Sequence, residues 1–527
     1  MQHEPETIVK RENRSTRPQI SRARCRIRLL HLFIFFLIFA APLFIVHLQI
    51  ISLPYYWDEQ GQFIPTALDL FRHGDWVAHS TVPNVHPPGV EVYLVLWYKM
   101  FGYSIAITRI AMLLLGAAGL LFTFLLAIEL SQGTNGAPAF WPPLLLLASP
   151  LFYTQSFMAQ LDMPAMVLTL FSLLLFVKRR YAECGAATVL LVLCKETALV
   201  TPFVFFIVLS WRRDWRRASY FIAPAVALGI WLVVLHNATG YWLGNPGFAH
   251  YNVAYPLHPV RIVTSFLRRI YYLFFAELRW IGALALILAA RKSLPFRSGI
   301  WHISIGVFAA NVILVSLLGG AELERYLLPV LPLLYIAIAV ALSTFQNWIA
   351  TTASAVLVMG LAANLFWNPP YPFPYENNYA SIDFVRLEQE AAAFTEENLK
   401  RQTIATAWPY TASLRNPDYG FVNQKLDVIE TNDLSLASIE AIGARKFNIL
   451  IVYNRTWVPK DSILSIPVVR RFLTRYYDWT PEITASECAQ LGFTKSVLWS
   501  RGGLETAIYM RAGTNLHAAA YLLVRRK

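Results

Sequence analysis

Residues 29–60 read LLHLFIFFLIFAAPLFIVHLQIISLPYYWDEQ, an apolar run from Leu29 to Ile51 that opens onto Tyr55-Tyr56-Trp57-Asp58-Glu59-Gln60. The run has the roughly twenty residues a membrane-spanning helix needs. No small-residue cleavage site closes it, so it reads as a first span and not as a removed signal. A carboxylate at the centre of a spanning helix costs roughly 2.5–3.5 kcal/mol, so two adjacent ones at a membrane exit ask for a reason.

Working outward, Lys and Arg cluster at Arg22 to Arg28, Lys178 to Arg180, Arg212 to Arg217 and Arg291 to Arg297. Carboxylates mark the alternate gaps: Asp58 and Glu59, Asp162, Glu196, then Glu322 and Glu324. Basic gaps lie on the cytoplasmic side, which places the acids together on the outer face. Further apolar runs at 109–130, 140–157, 163–177, 184–195, 198–210, 218–238, 270–290, 299–318, 326–344 and 348–366 predict about eleven crossings, with the N-terminus inside and the C-terminus outside. The runs 184–195 and 198–210 fall short of the roughly 17 residues a straight span requires, so Lys195 and Glu196 are expected to sit recessed in a cavity.

Composition agrees: 56% of the 527 residues are hydrophobic and 15% are charged, against about 25% charged in soluble domains. The formal charge of +13 lies largely in the tail and the short basic loops. Orientation and anionic headgroups account for it, and no nucleic-acid recognition signature accompanies it, so nucleic acid is not expected as a partner. The four cysteines form no CxxC pair that would suggest zinc or redox chemistry.

The expected architecture is an α-helical polytopic membrane protein with a C-terminal extracytoplasmic α/β domain. Residues 1–28 form a basic cytoplasmic tail, 29–367 the transmembrane domain and 368–527 the soluble one, after the linker Asn368-Pro-Pro-Tyr-Pro-Phe-Pro. A large first outer loop, 52–108, holds two interfacial helices: Phe63, Ala67 and Phe71 recur at helical spacing, and Val90 to Tyr98 is apolar and aromatic. Beyond the linker, helix-like Ile382 to Leu399 and Leu436 to Ala444 alternate with strand-like Lys446 to Tyr453 and Ala507 to Met510.

Each charged candidate has two readings. Asp58 and Glu59 either cap an interfacial helix or supply a general base and its orienting partner. Asp162, before Met163-Pro164, either caps the next span or joins the site. Lys195 and Arg325 either snorkel or pair with Glu196 and Glu324, or else they hold an anion. His86 leads into Pro87-Pro88-Gly89, where it starts a helix or touches that anion. The outer loop 239–269 carries His250, His258, Arg261, Arg268 and Arg269 without a metal spacing, which favours a mobile lid or a headgroup contact. No cofactor is demanded, although Asp58, Glu59 and Asp162 are hard oxygen ligands that leave a divalent metal open.

The ordered set resembles the polytopic GT-C glycosyltransferases of the protein O-mannosyltransferase and aminoarabinose transferase type, a family 39-like group. It runs through Asp58-Glu59, Gly74-Asp75-Trp76, Pro87-Pro88, Phe101-Gly102 with Arg109, Leu161-Asp162, Lys195-Glu196, and Arg325-Tyr326-Leu327-Leu328-Pro329 with Pro332. The resemblance implies a sugar donor linked to polyprenyl phosphate, Asp58 as base, and inverting transfer on the outer face to a lipid, glycan or protein hydroxyl. It further implies Glu59 and Asp162 as positioning acids, Lys195, Arg325 and His86 around the donor phosphate, and Glu196, Tyr326 and Glu324 on the substrate. The expected setting is a bacterial inner membrane, with membrane lipids as neighbours. Physics agrees, because a lipid phosphate leaves readily when cations meet its charge and a base relieves the nucleophile. One departure stands out: many of these transferases carry Lys where this chain has His86. The competing reading, a secondary transporter or lipid-handling membrane protein, calls for midplane charges and repeated halves, and the sequence has neither.

Overall fold

Nearly every apolar run becomes a helix in the computed structural model, which describes residues 17–132, 139–291, 296, 298–459, 462–511 and 514. The tail before residue 17, the side chains of the Arg22 to Arg28 stretch, most of the Arg291 to Arg297 loop and the chain after 514 lie outside the described residues. The first helix, Arg17–His47, packs on Ile105–Leu130, which in turn packs on Asp162–Val177.

Among the described residues, four helices are long and apolar enough to cross a membrane, or five if the bent pair Pro150–Phe157 and Asp162–Val177 counts as one span. The expected count of about eleven is therefore not reproduced by length and composition. The other runs are helical but short: Tyr181–Cys194, Glu196–Trp211, Trp280–Ala290 and Leu331–Leu342. Proline explains part of the fragmentation, because it lacks an N–H and starts helices better than it continues them. Pro150 opens its helix after a break at Ser149, and Pro202 and Pro224 stand in the first turns of Val200–Trp211 and Ala223–Thr239.

Both helices expected within residues 52–108 form, as Ile64–Arg72 and Gly89–Phe101. Gly89 lets the second lie directly on the neighbouring backbone, for a Cβ there would stand 2.4 Å from the Leu193 carbonyl oxygen. Gly89→Ala is expected to cost about 1–3 kcal/mol by overpacking and to displace the Lys195 turn two residues beyond Leu193. A melting temperature equal to that of the parent protein would refute the contact.

Residues 404–511 carry a five-stranded sheet in the order β2-β1-β3-β5-β4, where β1 is Ile404–Ala407, β2 Val428–Thr431, β3 Ile449–Tyr453, β4 Phe493–Arg501 and β5 Leu504–Arg511. β1 pairs in parallel with β2 and β3, and β5 pairs antiparallel with β3 and β4. Gly502 and Gly503, both with positive φ, form the two-residue turn that joins β4 to β5. This unit rests on the outer loop: Arg72 forms a two-pronged pair with Asp418 at 2.7 and 2.9 Å, and the Ser413 hydroxyl donates to Gln60 at 2.8 Å. The Pro-rich linker is pinned by the Trp457 indole, which donates to the Pro369 carbonyl at 2.8 Å.

Candidate functional site

The site is built around two interruptions in helical structure. At the first, Pro54 ends the exit segment, Trp57 takes a positive φ of 37°, and a π-helical turn, Glu59–Phe63, follows. Such turns favour functional positions because they re-aim side chains. Asp58 and Glu59 consequently diverge. At the second, the chain bends by 106° between Pro150–Phe157 and Asp162–Val177, which frees backbone groups inside an apolar bundle.

Glu59 and Arg109 satisfy those groups. Both side chains are fully buried and pair at 2.5 Å. Arg109 also donates to the carbonyls of Phe157 at 3.0 Å, Pro54 at 3.0 Å and Leu53 at 3.2 Å. Glu59 accepts from the amides of Ala159 at 2.6 Å and Tyr56 at 2.8 Å. The pair therefore fastens the membrane exit to the helix break and sets where Asp58 and Asp162 stand. The helix-capping reading fails for Asp58, whose side chain makes no cap bond, and Asp162 begins its helix with its carboxylate turned to cations.

Asp58, Asp162, Lys195, Arg325, His86, Glu196 and Tyr326 share the wall of one cavity of about 990 Å³. At its centre the Arg325 guanidinium contacts Asp58, lies 3.3 Å from Asp162 and donates to Glu376 at 3.0 Å. Lys195 contacts the other oxygen of Asp162, and its ammonium sits 4.7 Å from the Tyr326 ring centroid. Lys195 owes its place to the extended break between Tyr181–Cys194 and the turn Glu196–Leu199, as the two short runs lead one to expect. Neither cation pairs with its sequence neighbour: Glu196 instead faces the His86 imidazole at 2.8 Å.

Two expected members lie elsewhere. Glu59 is buried in the clamp and does not line the cavity. Glu324 points away from Arg325 into a second space, where Arg268 reaches it at 2.5 Å and Asn377 donates to it at 2.9 Å. At these two turns the neighbouring side chains diverge, so Asp58 and Arg325 line the cavity and Glu59 and Glu324 do not. The loop 239–269 folds into short helical turns and the start of the helix Pro259–Phe274. Its Arg261 donates to the Gly320 and Tyr476 carbonyls at 2.6 and 2.8 Å, and Arg269 donates to the carbonyls of Glu322 and Leu323.

Glu376 was not legible from sequence, because it follows the Pro-rich segment and looks like the start of a soluble unit. A buried carboxylate beside two others leaves the two cations one charge short. Burial pushes Glu376 up to about 7, with Asp58 and Asp162 adding to the rise and Arg325 opposing it. The folded protein thus binds a proton there that the unfolded chain has released, so this contribution to stability is full below about 4.5 and is lost as pH rises through about 7. Melting temperature should fall between pH 5 and pH 8, and Glu376→Gln should flatten that fall. An unaltered pH slope in the variant would exclude the proton.

Of the acids that could ligate a divalent metal, Asp58 and Asp162 face Arg325, as Glu376 does, and Glu59 faces Arg109. Among the described residues, the group whose ligand atoms all lie within 4.8 Å of one another is Asp69, His73 and His79, on the outer loop. There Asp69 already accepts from the amides of His79 and Ser80, each at 2.9 Å.

Residues 85–298 match the model of Glycosyltransferase family 87. Comparison with curated proteins finds no match. Among solved structures, ArnT from Cupriavidus metallidurans, both bound to undecaprenyl phosphate and in the apo state, is similar to this chain with a TM-score of 0.50, 15% identity, and coverage of 90% of this chain and 97% of that one. The archaeal oligosaccharyltransferase AglB from Archaeoglobus fulgidus, solved with an inhibitory peptide and a dolichol-phosphate, gives a TM-score of 0.47, 10% identity, and coverage of 93% and 75%. The fold is that of the GT-C polytopic glycosyltransferases, in keeping with the resemblance read from the motifs.

Proposed function

We propose that this chain, a membrane protein with the GT-C fold, moves a sugar from a polyprenyl-phosphate donor to an acceptor hydroxyl, with Asp58 as general base. The observation that carries the reading is one guanidinium and one ammonium lodged among carboxylates in a single outer-loop cavity. Such a site offers positive charge to a departing phosphate and, a few ångströms away, an acceptor for a proton. Support for the donor class comes from ArnT, solved with undecaprenyl phosphate, and support for the reaction from the family 87 match over residues 85–298.

In the step, the acceptor oxygen attacks the anomeric carbon and its proton passes to Asp58. The bond from that carbon to the phosphate oxygen breaks, and the lipid phosphate leaves with the electron pair. Attack opposite the leaving group inverts the anomeric centre. Arg325 and Lys195 receive the phosphate charge, so donor binding draws Arg325 off Asp58 and frees the base. Asp162 aligns both cations, Tyr326 backs the Lys195 ammonium, and the His86–Glu196 pair hydrogen-bonds to the donor from the facing wall. Glu59 acts through Arg109 as a positioning residue, and Glu324 has no part in the donor cavity. In this reading the reaction runs on the outer face of a bacterial inner membrane.

The test is transfer of radiolabelled sugar from lipid-linked donors by the purified protein in nanodiscs. Lys195→Ala is expected to raise the donor KM roughly 10- to 100-fold, the worth of one charged hydrogen bond, and to change kcat less. If no polyprenyl-phosphate sugar is consumed, or if Lys195→Ala leaves the donor KM where it was, the reading falls. Solute flux across sealed vesicles would favour a transporter instead.

A further inference from the structure

Beside the Asp58 cavity lies a larger one of about 1230 Å³, between the outer ends of the helices and the sheet-bearing unit. Arg268, Glu277, Glu322 and Glu324 form one side, and Asp433 and the turn from Tyr477 to Glu482 form the other. Trp57, Tyr251, Phe373 and Arg455 line both cavities, so the two spaces meet next to Asp58. A volume above the roughly 300–1,000 Å³ of drug-sized sites has room for several sugar rings.

Backbone strain gathers at this second space. Seven described non-glycine residues have positive φ, and four of them line it: Trp57 (37°), Glu277 (56°), Glu322 (51°) and Asp478 (49°). Leu278 (63°) adjoins Glu277, while Asp478, Arg179 and Arg213 follow helix ends, so that Trp57, Glu277 and Glu322 carry the strain at this cavity. Left-handed backbone at such residues survives only where the surroundings enforce it, and it concentrates at ligand sites. Buried polar atoms add a second sign, since Oδ1 of Asn377 and Nε of Arg455 lack a hydrogen-bond partner.

The lining states the chemistry. Aromatic faces such as Trp479, Phe472 and Tyr371 are interspersed with six carboxylates; Glu277, Glu322 and Glu324 face Arg279, Arg261 and Arg268, which leaves Asp433, Asp478 and Glu482 against Arg455. Ring faces stack on the C–H faces of pyranoses, carboxylates accept from hydroxyls, and the surplus of negative charge repels anions. Resting on the glycosyltransferase reading, we infer that this second cavity seats the acceptor, a saccharide without net negative charge, and that the sheet-bearing unit supplies its recognition wall through the Tyr477 to Glu482 turn. That turn is the unit's share in substrate choice. Trp479 touches the acceptor space and not the donor cavity, which lets the two be separated.

The full chain in nanodiscs is titrated by saturation-transfer NMR with three probes: chitotetraose (neutral), tetraglucosamine (amine-bearing) and tetragalacturonate (acidic). The neutral or the amine-bearing probe binds and the acidic one does not. Trp479→Ala weakens that binding roughly tenfold, Trp479→Phe restores most of it, and undecaprenyl phosphate binds all three proteins alike. Three results overturn the inference: binding of neither non-acidic probe, equal binding of the acidic one, or unchanged affinity in Trp479→Ala. Capture of a Ser/Thr-rich peptide in place of the saccharides does so as well. The underlying reading fails separately, through Asp58: intact transfer in Asp58→Asn would remove the base while leaving saccharide binding in place.

Discussion

Asp58→Asn is expected to lower sugar transfer by roughly 10²- to 10⁴-fold, the usual worth of a positioned general base, while polyprenyl phosphate still binds. The amide oxygen can accept from the Arg325 guanidinium much as the carboxylate does, so the cavity keeps its shape. What the amide cannot do is take the acceptor's proton. The comparison needs protein of matched expression and melting temperature. Transfer at the parent rate would show that the proton goes elsewhere, with Glu376, on the same guanidinium, the next carboxylate to examine.

Arg109→Ala should be the most damaging change to the fold. Both members of the Arg109–Glu59 pair have no exposed surface, and removing the cation strands a buried carboxylate together with the carbonyls of Leu53, Pro54 and Phe157. Breaking such a pair costs about 3–5 kcal/mol, enough to abolish the folded form in detergent by size-exclusion profile or thermal unfolding. Glu59→Gln should be milder, since its side chain can still meet the Ala159 amide. A parent-like melting temperature in Arg109→Ala would mean that the helix break holds without the clamp.

Much of the cavity could be read from sequence because charge inside an apolar chain is costly, and Asp58, Asp162, Lys195 and Arg325 all interrupt apolar runs. Which member of an adjacent pair turns inward could not be read so. Glu59 and Asp58 part company at a π-helical turn, and Glu324 and Arg325 at a short 3₁₀ turn, features decided by long-range contacts and not by local pattern. Glu376 escaped notice for a different reason, since nothing local ties the residue after a proline-rich linker to an arginine fifty-one positions earlier. The apolar runs themselves were legible as helices, yet their prolines and the Lys195 break cut several below spanning length, and the crossing count depended on that. Of the sheet, β3 and β5 announce themselves by apolar content, whereas β1 and β2 have four residues each and carry too little pattern.

Arg325 is gripped by side chains from the first outer loop, the bent helix and the segment that leads into the sheet. It therefore works as a shared tie between the outer loop, the helices and the segment before the sheet, beside the contacts of Arg72 with Asp418 and Ser413 with Gln60. Loss of that one side chain would strand three carboxylates from three separate stretches of chain at once, whereas loss of any one of them leaves the guanidinium two partners.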